Sequence, residues 1–215
     1  MQGHPDLEVA LTAAAVLSVS AALLCGVTAY PLDAVSREVP KRGKLKCDRD
    51  VLVKYKGDVV PYHATTTVHP AFRERLRRFE KVVADVAVEV YGRAPKRIVT
   101  MGTFNCRRIR RFPHLISEHG LGNAIDVAGF DFAPLPAGAE APDKLSKRHR
   151  RGFKVRMEKH WTAKGRDGRH SSFLKLLARR LVAADIFRVL LGPAWPGHHN
   201  HFHFDMAPYL SLIHI

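Results

Sequence analysis

Cysteine is scarce in this 215-residue chain, with Cys25, Cys47 and Cys106 the three present. None forms a Cys-x-x-Cys pair, which excludes a zinc site built from thiolates. Cys25 lies in the leading apolar stretch. With that stretch removed two cysteines remain, and either one disulfide in an oxidising compartment or two unrelated buried thiols accounts for them. Acidic residues are few as well. Asp and Glu number 20 against 35 Lys and Arg, giving a net charge of +15. Such a surplus draws a protein to polyanions (nucleic acid, anionic lipid or anionic wall polymer), and it serves equally as solubilising surface charge. No nucleic-acid recognition motif accompanies it, so no specific nucleic-acid partner is expected. Internal repeats are absent. At this length one domain with room for a real core is the expectation, as a monomer.

Charge is missing altogether from Val9 to Tyr30, a run rich in Ala, Val and Leu. That length suits a signal-peptide core and comes close to spanning a bilayer. Val27-Thr28-Ala29 places small residues where a signal peptidase reads, so residues 1–29 are expected to be a signal peptide cleaved after Ala29. No Lys or Arg precedes the run, which keeps an uncleaved membrane anchor as the alternative. Leu24 before Cys25 is bulkier than a lipoprotein-processing site prefers. Either way the chain is expected to be exported, to the periplasm or cell envelope. At the other end, residues 210–215 (Leu-Ser-Leu-Ile-His-Ile) read like a translated sequencing adapter, and His214 is assigned no function.

Residues 30–68 read as a polar lead-in with short β-like runs, exposed from Lys41 to Asp50 and strand-like from Val51 to Tyr55. The clearest helix follows. Phe72, Leu76, Phe79, Val83, Val86 and Val90 recur at spacings of four and three, between Pro70 as a start and Gly92 as a stop. Arg97–Phe104 and Ala124–Val127 are expected strands. From Pro134 to Arg169 the chain becomes irregular and basic, with eleven Lys or Arg against two acids between Lys144 and Arg169. Within it, Val155, His160 and Trp161 suggest a strand and a cleft edge. A second helix is expected over 171–184, then strands over 187–191 and 202–206. The expected class is α+β, a small antiparallel sheet flanked by helices.

Two clusters carry chemistry. In His119-Gly-Leu-Gly-Asn-Ala-Ile-Asp126, the glycines argue against a helix, so a loop is expected to present His119 and a strand Asp126. Imidazole and carboxylate are both good zinc ligands. In His198-His-Asn-His201-Phe-His203, His201 and His203 are two apart and share one side of a strand. One can bind a metal while the other stays free beside it to take a proton from water. Spacing alone also fits a surface metal scavenger or a pH-sensitive loop.

Ser117-Glu-His-Gly-Leu-Gly-Asn-Ala-Ile-Asp126 resembles the Ser-x-His-x-x-Gly-x-Ala-x-Asp motif of the LAS zinc peptidases (lysostaphin-type enzymes, D-Ala-D-Ala peptidases and Hedgehog). More narrowly, the chain resembles the bacterial extensin-like C-terminal domain family over roughly residues 45–208. Asn-Cys106-Arg107, the His119 segment, Leu191-Gly-Pro and His-x-x-His-Phe-His-Phe-Asp carry that resemblance. It implies a LAS-peptidase-like domain over 69–209, with Zn2+ held by His119, Asp126 and His203. It further implies His201 as general base, His198 as a second active-site histidine and Arg107 as an arginine that orients substrate or polarises its carbonyl. Ser117 would orient the loop of the first ligand, and Asp205 either backs the site or holds the last strand. Relatives usually carry a further cysteine before the Leu-Gly-Pro segment, where this chain has Ala183, Ala184 and Asp185, so their disulfide pattern is not carried over.

The function this implies is a zinc peptidase acting on peptidoglycan stem peptides, of D,D-carboxypeptidase or endopeptidase type. A basic rim over 144–169 would favour carboxylate-rich stems or another anionic wall polymer. The rival from a different class is a zinc-containing wall-binding module without turnover.

Overall fold

The computed structural model describes residues 29–209. The leader and anchor readings of residues 1–29, Cys25, and the adapter reading of 210–215 with His214 therefore lie outside the described residues, apart from Ala29. Among the described residues no helix is long and apolar enough to cross a membrane.

Short strands β1 (Val53–Tyr55) and β2 (Thr66–Val68) lead into the long helix α1 (Pro70–Tyr91), then β3 (Arg97–Gly102). A hairpin of β4 (Arg108–Ile109) and β5 (Phe112–Ile116) precedes one 3-10 turn (Glu118–Leu121) and β6 (Ala124–Phe132). Next come α2 (Lys147–Arg150), β7 (Phe153–Arg156), α3 (Met157–His160), α4 (Gly168–Ala183), β8 (Val189–Leu191) and β9 (Phe202–Asp205). The main sheet runs β3-β6-β9-β8, with β7 also paired to β6, and every pairing is antiparallel. The fold is α+β, as the alternation of patterns implied.

One face of this sheet is apolar because strand side chains alternate. Ile125, Val127, Phe202 and Phe204 are fully buried. Phe204 meets Phe79 of α1 at 5.4 Å and stacks on Phe187 at 4.8 Å. Phe130 meets Phe173 of α4 edge-on at 5.3 Å. Each such ring removed from water is worth roughly 1.5–3 kcal/mol, so the helices are fixed to this face. Helix α1 ends at Gly92, whose left-handed backbone (φ +74°) closes the cap by donating to Val88.

The polar lead-in also supplies core, since Tyr30, Leu32, Tyr55, Val60, Tyr62 and Val68 are buried in the same cluster as α1. Two sequence expectations need correction. Strand β6 continues past Val127 to Phe132, because β7 pairs with its second half. The 134–169 stretch is accordingly not irregular throughout. Trp161 does edge a cleft, which Lys175, Arg179, Val182 and Ala194 also line, but on the helix side of the sheet, where its ring packs on Phe202 at 5.6 Å.

A buried carboxylate holds the lead-in onto α1. Glu80 accepts from the Tyr55 hydroxyl at 2.8 Å and from the backbone N–H groups of Asp58 and Val59 at 2.9 and 2.8 Å. Glu80→Ala leaves those donors without their acceptor in the core, and should lower unfolding stability by about 2–4 kcal/mol. Denaturant unfolding monitored by circular dichroism measures this, and Glu80→Gln, which keeps one acceptor oxygen, should lose less.

Candidate metal centre

The other sheet face is polar. Register places Asp126 of β6 directly opposite His203 of β9, both pointing away from the helices. His119 reaches the same point from the 3-10 turn, not from the open loop expected of its glycines. The turn ends at Gly122, which takes a left-handed conformation (φ +62°), and a Cβ there would lie 2.7 Å from Leu52. Two motifs 77 residues apart at Asp126 and His203 thus converge, as their residue types implied.

Hydrogen-bond partners fix where the protons are. His119 Nδ1 lies 2.9 Å from the Thr103 carbonyl, an acceptor only, so this nitrogen carries the hydrogen and Nε2 the lone pair. His203 Nε2 lies 2.7 Å from Asp205 Oδ2, so its hydrogen sits there and Nδ1 keeps the lone pair. These lone-pair nitrogens face each other at 3.2 Å. Asp126 completes the group, Oδ1 at 2.9 Å from His203 Nδ1 and Oδ2 at 3.3 Å from His119 Nε2. With neutral rings this is an acceptor-only cluster, which needs either an extra proton or a cation at its centre. Ligands around a tetrahedral zinc at about 2.0–2.1 Å sit roughly 3.3 Å apart, and the contacts here, made through both Asp126 oxygens, are close to that separation.

Electrostatics follow the geometry. Burial alone would raise the Asp126 carboxyl, but the His119 and His203 imidazoles beside it outweigh that and hold it well below the usual carboxylate range. Burial likewise pushes the His203 imidazole down, yet its bonds to Asp126 and Asp205 win and push it up to about 9. In the metal-free protein, His203 thus stands in for the cation by keeping a proton.

His201 has a different role. Its Nδ1 lies 2.7 Å from the side-chain oxygen of Asn200, which takes the ring proton and leaves the Nε2 lone pair 3.6 Å from Asp126 Oδ1. Burial pushes its imidazole below the usual histidine value, so it is neutral at neutral pH. The His198 ring lies 4.8 Å from that of His201, and burial takes its imidazole down to about 4. Arg107 is not gathered in. Its side chain is exposed and forms no hydrogen bond or ion pair with the described residues, while its carbonyl accepts the Ser117 N–H at 2.9 Å. Asp205 does both things proposed for it, since its other oxygen accepts the Ala207 N–H at 2.8 Å.

Several supporting residues gave no signal in the sequence. Thr103 offers its carbonyl to His119 while its hydroxyl is pinned to Thr67 of β2 at 2.8 Å. Glu118 is held by Arg37 at 2.8 Å and binds Asn123, which in turn accepts from the Tyr30 hydroxyl. Glu118 and Asn123 lie inside the motif and could have been weighed there. Arg37 and Tyr30 lie in a segment with no periodicity to mark them.

A second group, His160, Asp167 and His170, has potential ligand atoms within 4.8 Å of one another. Its proton positions argue against a metal. His160 Nδ1 accepts the Arg156 N–H at 2.8 Å, so its other nitrogen carries the hydrogen, and Asp167 is ion-paired with Arg148 at 2.6 Å. His160 and the partly exposed Asp167 are thus already partnered within the protein.

The cysteine alternatives resolve in favour of pairing, with Cys47 and Cys106 joined as a disulfide. The family model described as extensin-like protein C-terminus matches residues 24–135, more than half of the chain. The chain belongs to that family. The match includes both bridged cysteines, Arg107, His119 and Asp126, and ends before β9, a shorter and earlier span than the resemblance implied. No curated protein and no solved structure is significantly similar to it.

Two outcomes test the centre. Asp205→Ala removes the acceptor that holds the His203 tautomer and should weaken metal affinity about 10–100-fold, read by competition with a chelating dye. For pH, the raised His203 value means that its proton stabilises the metal-free fold fully below about 6.5, and that this contribution is lost as pH rises through about 9. Melting temperature in chelator should therefore fall over that window, while the increment gained on adding zinc should grow.

Proposed function

We propose that this protein is an exported zinc-dependent peptidase acting on peptidoglycan stem peptides, of D,D-carboxypeptidase or endopeptidase type. One observation carries the reading: three convergent lone-pair donors, each imidazole tied through its other nitrogen, stand beside a neutral histidine whose free nitrogen faces them. Two histidines and a carboxylate make a three-ligand set that leaves a position open for water, the pattern of catalytic rather than structural zinc. Zinc bound by His119, Asp126 and His203 would supply Lewis acidity and a more acidic water.

The chain's own residues perform the remaining work. His201 accepts the proton of the attacking water at Nε2 and returns it to the leaving amine, its ring held by Asn200. Asp126 keeps one-fifth of its side-chain surface exposed, so the centre is reachable from the polar face of the sheet. Arg107, exposed at the base of the hairpin, is available to a substrate group rather than committed to an internal partner. His198 lines the approach to His201. The motif's resemblance to LAS peptidases supports peptide hydrolysis as the reaction, and the excess of basic residues supports an anionic wall substrate.

Zinc analysis coupled to digestion of purified muropeptides tests this. The parent should hold about one zinc per chain and convert a muropeptide, and His203→Ala and Asp126→Ala should lose the metal. His201→Ala should keep the zinc and lose about 10²–10⁴-fold in turnover. Equal zinc in all three variants and the parent would sink the ligand assignment. Zinc with no turnover of any muropeptide would leave the wall-binding module instead.

A further inference from the structure

The loop that carries His119 is built into a second, strongly charged structure. Backbone residues 37–39 lie along β5, with Val39 N–H donating to His114 at 2.8 Å and Ile116 N–H to Arg37 at 2.8 Å. Arg108 of β4 donates to the carbonyls of Pro40 and Arg42 at 2.7 and 2.9 Å. These bonds and the Cys47–Cys106 disulfide join a segment preceding β1 to the β4–β5 hairpin as one flap.

That flap is rooted on the candidate centre. Ser117 N–H donates to the Arg107 carbonyl at 2.9 Å, and Asn105 N–H to the His119 carbonyl at 3.1 Å. Contact between the two is close: a Cβ at Gly120 would lie 2.9 Å from the Ile116 side chain and 3.3 Å from Cys47 Sγ. The turn bearing His119 thus sits directly against the flap, and a side chain at Gly120 would have to displace Ile116.

The flap's charge is one-sided. Residues 37–44 and 107–114 contain one carboxylate, Glu38, which lines a shallow depression with Val39, Pro40, Lys41 and His114. Lys41, Arg42, Lys44, Arg107, Arg110 and Arg111 are exposed, and none forms an ion pair among the described residues. The 144–169 insert, the expected rim, also carries exposed cations in no ion pair among the described residues, including Lys147, Arg150, Arg151 and Lys154, beside Arg148 and Arg156, which are paired with Asp167 and Asp131. It differs in position, since its strand β7 pairs with Gly129–Phe132, the half of β6 beyond Asp126.

We propose that the flap of residues 37–44 and 107–114 binds a linear polyanion, carrying carboxylates or phosphates, and delivers it to the centre at His119. This rests on the peptidase reading only for what happens after delivery. Unpaired cations fixed on a backbone scaffold concentrate an anionic chain locally, and the rooting of the flap at Ser117 and Asn105 sets the distance to the metal ligands.

The test is cosedimentation of the full chain with isolated sacculi across a salt series, with polyglutamate and polyphosphate as competing probes. Lys41→Gln, Lys44→Gln, Arg110→Gln and Arg111→Gln combined should weaken binding by at least about tenfold and flatten its salt dependence. Lys147→Gln, Arg150→Gln, Arg151→Gln and Lys154→Gln combined should change it less than about twofold. The probe that competes at the lower charge concentration tells carboxylate from phosphate. Equal binding by parent and flap variant, or an equal loss in the insert variant, overturns the proposal. Zinc content and melting temperature, measured on the same samples, serve as controls for folding. A zinc-free parent that still binds through the flap sinks the peptidase reading and leaves this one standing, and a zinc-holding parent with an inert flap does the reverse.

Discussion

Three acceptor atoms pointed at one another across about 3 Å are costly to bury, and much of the polar half of this molecule exists to hold them there. His119 Nε2, His203 Nδ1 and an Asp126 oxygen would relax apart unless their backbones were fixed, because unpaired buried acceptors cost about 1–3 kcal/mol each. Sheet register fixes two of them, since Asp126 and His203 are directly opposed on adjacent strands. The third is fixed from outside the sheet by the Thr103 carbonyl and by the Tyr30–Asn123–Glu118–Arg37 chain of hydrogen bonds. The same outer partners dictate the proton positions. A proton on His203 relieves the repulsion, and a divalent cation at the same place would relieve it as well.

The sheet separates two kinds of constraint. Its apolar face is a continuous aromatic packing of Phe79, Phe187, Phe204, Phe130 and Phe173, whose burial fixes α1 and α4 and thereby the strands. Its polar face carries chemistry that by itself destabilises. Alternation along β9 makes the division strict: Phe202 and Phe204 belong to the core, while His203 and Asp205 belong to the centre. A one-residue slip would exchange them, so the apolar packing also enforces the geometry of the candidate metal-binding group.

Periodicity made the two long helices and most strands legible, because burial on one face leaves a pattern that a linear sequence keeps. Phe72, Leu76, Phe79, Val83 and Val86 are all buried, as their spacing required. The convergence of His119, Asp126 and His203 was legible for a different reason, since ligand chemistry restricts residue type. What stayed hidden was support supplied by backbone atoms or by the lead-in. The carbonyl that orients His119 belongs to Thr103, and any residue type offers the same carbonyl. Tyr30 and Arg37 contribute through single long-range contacts that no local pattern announces. Trp161 was legible as a cleft edge, and its ring also packs on the core at Phe202, on the sheet face opposite the candidate centre.

The charge of the chain divides along similar lines. In the insert, arginines such as Arg148 and Arg156 are partly consumed by internal carboxylates and so act as structure. On the flap the only arginine of that kind is Arg37, bound to the buried Glu118, and it ties the flap to the His119 turn. A basic protein thus need not be uniformly sticky. Cations paired internally contribute little to the outer field, and those left unpaired contribute most of it. The flap and the turn bearing His119 meet at Ser117, Gly120 and the disulfide, so on the proposed reading an anionic chain held by the flap would lie beside the candidate centre. Displacing flap or turn would disturb the other.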